Sequence, residues 1–405
     1  MNGFVTVYSF NDLIELAFVV RQFLVHHDLF AAHTKQAVKH EVCDALDFAD
    51  TFVNSDCRNH TPKQVSGINH LCNDNMMITD EQFIRRCFDL ALRGIGSVSP
   101  NPLVGCVITH NNEIIGEGWH QKYGGPHAEV NAVASVTDKS LLSSATVYVN
   151  LEPCAHHGKT PPCADMLVAH RVKKVVISNV DSNELVAGKG IEKLRNAGIE
   201  VITGVLEQEG RYLNRRFFTF MEQRRPYIIL KWAQTSDGFM SRGSNDPSRI
   251  SNDLSQQLVH RWRSEEDAFL VGTQTAATDN PKLNVREWSG RDPVRIVIDR
   301  NGRLDKSLHL FDGTQTTIVY KDFNEIVGDL FHRKIQSLVV EGGATTLNLF
   351  ISSGLWDEAR IFVAPMEFGS GLKAPTLPGS PSTSNIGDNK LLLFQNFSAK
   401  PLPVK

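Results

Sequence analysis

The chain has 405 residues, 41% of them hydrophobic and 21% charged, with a formal net charge of -3. That length allows at least two cores and suggests two or three domains, at roughly 150 residues each. The slightly acidic balance argues against a nucleic-acid partner, since such binders usually carry a basic surface. Seven cysteines, an odd number, fit free thiols in a reducing compartment better than a disulfide framework.

Residues 1–78 read as a poorly patterned extension. Ser9 can cap a helix that places Leu13, Leu16, Ala17, Val20 and Leu24 on one face. The apolar run at 16–20 is stopped by Arg21, far short of a membrane span. No basic segment leads into an apolar one with a small-residue cleavage site. A cytoplasmic protein without membrane contact is expected. His26, His27, His33, His40, His60 and His70, with Cys43, Cys57 and Cys72, match no compact zinc module by spacing. Met76 or Met77 is a candidate start, because organised patterning begins immediately afterwards.

Thr79 and Gln82 form a capping box. Phe83, Cys87, Leu90 and Ala91 follow at helical spacing, and Gly94 stops the helix. Ser99-Pro100-Asn101-Pro102 is a turn-rich loop. It leads to a strand at 103–109, joined through Asn111-Asn112 to a second at 114–119, as a hairpin. Gly124-Gly125-Pro126 breaks the chain before a helix that starts near His127. A strand at 146–151 delivers Pro153-Cys154, and Cys163 opens the next helix.

His127, Cys154 and Cys163 make a three-ligand zinc set whose fourth position is open for water, which suits a catalytic site. Glu129 is not needed as a ligand and stands where a proton carrier is wanted. An H-x-E followed by a P-C and a second cysteine is the pattern of zinc nucleobase deaminases. Eight residues separate Cys154 from Cys163 where the general pattern has two. Farther on come a strand at 175–178, the Gly188-Lys189-Gly190 turn, a helix through Leu194 and a strand at 199–202. That turn fits a phosphate site or a plain helix start equally well. A single long helix is expected over 206–220, with Arg211, Arg215 and Arg216 on a solvated face. Arg224-Arg225-Pro226 marks the boundary, giving a deaminase domain at 79–222 and a second domain at 223–405.

In the second domain, strands are expected at 227–232, 269–271, 294–298, 317–320, 337–340 and 360–363. Helices are expected at 254–262, 326–331 and 345–351. Continuous apolar strands alternating with helices imply a mainly parallel sheet covered on both faces. Ligands of such sheets bind at the carboxyl ends of strands, here Asp237-Gly238, Gly272-Thr273, Asp299 and Glu341-Gly342-Gly343. No G-x-G-x-x-G fingerprint is present, which disfavours a standard dinucleotide fold. Glu341-Gly342-Gly343-Ala344-Thr345 would still suit a phosphate at a helix N-terminus, or an ordinary turn.

Four segments of the first half carry a resemblance. They are Ser99-Pro100-Asn101-Pro102-x-Val104-Gly105, Gly116-x-Gly118-Trp119-His120, Gly124-Gly125-Pro126-His127-Ala128-Glu129 and the whole of 153–163. They closely resemble the bifunctional riboflavin-biosynthesis deaminase–reductase family, in which the long insertion between the cysteines is typical. The second half agrees through Lys231-Trp232-Ala233, Asp237-Gly238, Asp267-Ala268, Gly272-Thr273-x-Thr275, Asp279-Asn280-Pro281-x-Leu283 and Glu341-Gly342-Gly343. The resemblance covers roughly residues 79–375.

It implies an α/β protein: a cytidine-deaminase-like three-layer α/β/α domain followed by a dihydrofolate-reductase-like α/β domain. It implies removal of the 2-amino group of a phosphoribosylated diaminopyrimidine, then reduction of the ribosyl chain to ribityl by NADPH. Asn101 would hold the pyrimidine, or would be a turn residue capping the next strand. His156 and His157 would touch substrate or fasten their loop. Gln234, Thr275 and Asp279 fall at NADPH positions, with Gly343, Ala344, Thr345, Thr346, Leu347, Asn348 and Leu349 under its phosphates. Arg263, Leu283, Arg286 and Glu341 fall at substrate positions, and two arginines suit a phosphate monoester. This chain departs from the family at Arg249 and Arg300, both cofactor positions, and at Pro247, a substrate position. A homo-oligomer is expected by resemblance alone. A tRNA or free-base deaminase fused to an unrelated domain would predict a basic surface and short cysteine spacing. A non-catalytic zinc-stabilised binding protein would have no need of Glu129.

Overall fold

The computed structural model describes residues 78–155, 161–183, 187–243 and 249–399. The expectations for residues 1–77, Pro247, His156 and His157 lie outside that range. The described residues from Asp80 onward belong to one compact unit, built on two large sheets.

The first sheet begins after helix α1 (Asp80–Leu92). Strands β1 (Gly105–His110) and β2 (Glu113–Trp119) form the expected hairpin. Asn111 and Asn112 both have positive φ, 50° and 67°, which matches the twist of a two-residue turn. Helix α2 (Ala128–Ser135) then lies on β2. A Cβ on Gly118 would meet the Ala132 nitrogen at 2.3 Å, so only glycine admits this approach. Strand β3 (Thr146–Leu151), α3 (Cys163–Ala169), β4 (Lys174–Asn179), α4 (Lys189–Asn196) and β5 (Glu200–Thr203) complete the layer. The strand order is β2-β1-β3-β4-β5, antiparallel at β1 and parallel from β3 onward. Ile108, Val147, Val149, Leu167, Val175 and Ile177 form the buried centre of its core.

The expected long helix is two helices, α5 (Glu207–Leu213) and α6 (Arg215–Gln223). Asn214 interrupts them because its side-chain amide pairs with the backbone of Leu103, accepting from N–H at 2.8 Å and donating to the carbonyl at 2.9 Å.

The second sheet has eight strands in the order β10-β9-β8-β11-β6-β12-β15-β14. They are β6 (Tyr227–Thr235), β8 (Ala268–Gly272), β9 (Val294–Ile298), β10 (Thr317–Tyr320), β11 (Ser337–Val340), β12 (Glu358–Ala364), β14 (Ser382–Ile386) and β15 (Asn389–Gln395). Pairing is parallel from β10 to β12, and antiparallel where β15 and β14 extend the edge. A short pair, β7 (Phe239–Ser241) with β13 (Leu372–Lys373), lies apart. Helices α7 (Asp253–Glu265), α8 (Thr273–Asp279), α9 (Phe323–His332) and α10 (Ala344–Ser353) complete the half. Alternate residues enter two cores: Ile228, Leu230, Leu338 and Val340 on one face, Tyr227, Ile229 and Val339 on the other. Two-sided burial explains why these strands read as continuous apolar runs.

The arginines expected on a solvated face divide. Arg211 is exposed and pairs with Glu222 at 2.7 Å. Arg215 and Arg216 instead reach the second sheet. Arg216 Nε donates to Glu266 at 2.6 Å, Arg215 Nε to Glu358 at 3.4 Å, and Arg360 bridges the two carboxylates at 3.3 and 2.5 Å. Two further bonds join the halves, Ser99 Oγ to Asp267 at 2.7 Å and Gln336 Nε2 to the Pro100 carbonyl at 2.7 Å.

Burial would raise the Glu266 carboxyl, but Arg216 and Arg360 outweigh it and hold it down to about 2. A carboxylate depressed on folding stabilises above its unfolded pKa of about 4.3, and the gain is lost as pH falls towards the folded value. The urea midpoint of the full chain is therefore expected to fall between pH 5 and pH 3. The substitution Glu266→Gln should lower the midpoint at pH 7 and flatten this slope. A wild-type slope in that variant would remove Glu266 from the account.

Candidate active sites

His127 is the N-cap of α2, and Glu129 lies in its first turn. Cys154 follows β3 after Glu152 and Pro153, and Cys163 is the first residue of α3. The His127 Nδ1 lies 3.6 Å from the Cys154 sulfur and 3.3 Å from the Cys163 sulfur. All three donor atoms fall within 4.8 Å of one another. Tetrahedral zinc, with bonds of about 2.3 Å to sulfur and about 2.0 Å to nitrogen, separates such donors by roughly 3.5 Å. The donor set therefore fits zinc in both chemistry and spacing.

The two thiols share a proton unequally. The hydrogen bond from the Cys163 thiol lowers Cys154 strongly, helped by His127 and the Cys163 amide at 3.3 Å. Two helix N-termini add positive dipole ends to the same spot. Glu129 is buried, and burial pushes its carboxyl up to about 6 against the pull of His127.

Asn101 stands in the wall of a cavity of about 390 Å³, with Glu129 and Cys154. Its Nδ2 lies 3.0 Å from His120 Nε2, while His120 Nδ1 lies 2.9 Å from the Pro126 carbonyl. The carbonyl requires the proton on Nδ1, so Nε2 accepts and the Asn101 amide is oriented. Burial lowers His120, which keeps the ring neutral. Asp181, Asn183, Lys334 and Gln336 are among the lining residues that had no role in the sequence reading. No motif points to them, and the last two come from the second half of the chain.

Glu152 settles the Gly188-Lys189-Gly190 alternatives. Its carboxylate accepts from the amides of Gly188, Gly190, Ile191 and Asp181, at 2.9, 2.9, 3.2 and 3.3 Å. The start of α4 is thus held by the chain's own anion.

In the second half, β6 and β11 bring Lys231 and Glu341 together, with Nζ 3.4 Å from Oε1. Arg263 of α7 donates to the other Glu341 oxygen at 3.1 Å. Burial would raise Glu341, but Lys231 and Arg263 outweigh it and hold it down to about 2. Lys231 was legible as a family motif residue but not as a site residue. Arg263 is buried and also reaches the Asn284 carbonyl at 3.4 Å, whereas Arg286 is exposed. Leu283 has a positive φ of 49° and a buried side chain.

Gly343 is the N-cap of α10, which no side chain caps. Its amide donates to Thr275 Oγ1 at 3.1 Å, joining the turn to α8. A Cβ on Gly342 would meet Thr346 Cβ at 2.5 Å, so the turn is closed tightly against its own helix. An uncapped helix start at the carboxyl end of the sheet suits a cofactor phosphate. Thr345, Asn348 and Leu349 are exposed there, whereas Leu347 packs into the core and offers only its backbone. Asp279 ends α8, Arg300 is exposed beyond β9, and Gln234 near the end of β6 accepts from Trp232 Nε1 at 2.7 Å. Arg249 pairs with Asp253 at 2.7 Å on the surface. Asp237 and Asp299, candidates at strand ends, are occupied by local backbone: Asp237 by Phe368 and Gly369, Asp299 by Arg303 and Leu304.

The cytidine and deoxycytidylate deaminase zinc-binding region matches residues 77–179, and the RibD C-terminal domain matches residues 226–399. The riboflavin biosynthesis protein RibD of Aquifex aeolicus is 36% identical over 353 residues, covering 78% of this chain and 99% of its own. The chain belongs to the RibD family. The Escherichia coli member is 35% identical over 339 residues, covering 74% and 92%. A crystal structure from Thermotoga maritima, a diaminohydroxyphosphoribosylaminopyrimidine deaminase/5-amino-6-(5-phosphoribosylamino)uracil reductase, matches with TM-score 0.72 at 36% identity, covering 78% of this chain and 98% of its own. RibD from Acinetobacter baumannii gives 0.72 at 34% identity, with the same coverage. As a RibD-family chain this is a bifunctional enzyme of riboflavin biosynthesis, a zinc-dependent deaminase joined to an NADPH-dependent reductase.

The ligand set is checked by metal content after dialysis. The substitutions His127→Ala and Cys163→Ala are expected to abolish stoichiometric zinc, while Glu129→Gln retains it. Full zinc in Cys163→Ala would exclude that thiol from the set.

Proposed function

We propose that the first site deaminates 2,5-diamino-6-(5-phosphoribosylamino)pyrimidin-4(3H)-one and that the second reduces the resulting ribosylaminouracil to its ribityl form. The observation that carries this reading is the cluster of His127 Nδ1 and two cysteine sulfurs, with buried Glu129 beside it. We place the deaminase at 79–222 and the reductase at 223–405; separate sheets and separate family matches support this division.

Zinc supplies a Lewis acid that makes water nucleophilic near neutral pH. Glu129 takes a proton from the attacking water and delivers it to the ring nitrogen. It then takes the remaining proton of the added hydroxyl and passes it to the departing amine, so that one water enters and one ammonia leaves. Asn101, fixed by His120, is positioned to bind the pyrimidine edge.

In the reductase site NADPH supplies the reducing equivalent. Thr275, Asp279, Gln234, Arg249, Arg300 and the stretch from Gly343 to Leu349 form our proposed cofactor surface. Ionised Glu341 accepts hydrogen bonds from sugar hydroxyls. Arg263 fixes that carboxylate, and exposed Arg286 meets the substrate phosphate. The backbone of Leu283 completes this set, and Pro247 keeps its assignment as a substrate position. The compartment we infer is the cytoplasm.

The test supplies the phosphorylated diaminopyrimidine to the full chain and follows ammonia release and NADPH oxidation. Both are expected, in that order. The substitution Glu129→Gln should reduce ammonia release at least 100-fold, within the range general acid–base catalysis commonly supplies, about 10²–10⁴-fold. It should leave reduction of pre-deaminated substrate intact. Ammonia without NADPH oxidation in the wild type would refute the second step.

A further inference from the structure

The deaminase cavity is not walled by the deaminase half alone. Helix α9 of the reductase half ends at His332, with Arg333 as C-cap. The chain then turns through Lys334 and Gln336 into the wall of the cavity that holds Glu129 and Asn101. Gln336 fixes this turn from both sides. Its amide nitrogen donates to the Pro100 carbonyl at 2.7 Å, and its backbone N–H donates to Asp267 at 2.8 Å. Phe331 packs on Phe220 with ring centroids 4.7 Å apart, holding the end of α9 against α6.

Lys334 itself is left-handed, with φ +60°. Its N–H donates to the Phe331 carbonyl and that of Ile335 to Leu330, both at 3.0 Å, which closes the helix in the usual C-terminal manner. Glycine is the residue such a position favours, because a side chain there is strained. Arg171 and Arg224 take the same conformation at other helix ends, so the backbone tolerates a long cationic side chain here. The surroundings of this one are what set it apart. Among the described lining residues Lys334 is the sole lysine or arginine, against the carboxylates of Glu129 and Asp181, while that of Glu152 is taken up by four backbone amides. A phosphate monoester brings a charge of about -1.5 to -2 at neutral pH. Among the described residues of the wall, Lys334 is the cation that can meet it.

We propose that Lys334 recognises the phosphate of the deaminase substrate, so that the reductase half completes the deaminase pocket and makes it selective for phosphorylated pyrimidine. This rests on the substrate reading given above.

The test uses the full-length zinc-loaded chain and two substrates, the phosphorylated diaminopyrimidine and its dephosphorylated riboside. The variant Lys334→Gly removes the charge where glycine is conformationally favoured, so folding is preserved. Reduction of pre-deaminated substrate serves as the control for that. We expect KM for the phosphorylated substrate to rise about 10- to 100-fold, the loss of one charge-assisted hydrogen bond, with kcat little changed. Deamination of the riboside should be unaltered, inhibition by ribose 5-phosphate should weaken in parallel, and Lys334→Arg should restore most of the selectivity. Equal losses on both substrates, or no loss on either, would overturn the proposal. If the wild-type enzyme releases no ammonia from the phosphorylated substrate, the substrate reading itself fails, and this inference with it.

Discussion

Three donor atoms must reach one small ion, although the chain separates His127 from Cys154 by 27 positions and Cys154 from Cys163 by nine. Everything in the first sheet serves that convergence. The hairpin of β1 and β2 carries α2, glycine at 118 lets α2 lie flat, and β3 ends beside its first turn. Helix α3 then starts at Cys163, so two helices point their positive ends at one place. Shift either helix by a single residue and the donors no longer meet.

Much of this was legible because the chemistry is local in sequence. His127-Ala128-Glu129 and the Pro-Cys pairs declare their roles without a fold, and β3, β9, β10 and β11 were bounded correctly by their apolar runs. Other features depend on partners far along the chain. Arg215 and Arg216 look like any surface pair until Glu358 and Glu266 arrive, 143 and 50 residues later. The break at Asn214 was hidden for the same reason, since helical periodicity runs straight across it while Leu103 draws its amide aside. The antiparallel edge of β14 and β15 escaped notice because Ser382–Ile386 carries little apolar signal. Placement of the family's reductase residues was legible by resemblance, but their division of labour was not. Arg263, which falls at a substrate position by resemblance, also donates to Glu341, a contact the sequence does not announce.

The contacts between the halves are of two kinds. The network of Arg215, Arg216, Arg360, Glu266 and Glu358 is buried and almost fully paired, with only Arg360 Nη1 left without a partner. Such clusters contribute less to net stability than to a single mutual arrangement, because desolvation offsets most of the attraction. Arrangement is what the deaminase cavity requires. Its wall at Gln336 is carried by the second sheet, and a small rotation between the halves would open it.

Glu152 stands two residues before Cys154, and four backbone amides grip its carboxylate. The end of β3 is thereby moored to the opening turn of α4, and the mooring line to the metal ligand is two peptide units long. Any change in the path of residues 188–191 will be transmitted along that line to the Cys154 sulfur. The position of the Cys154 sulfur therefore depends on a turn that lies outside the lining of the cavity.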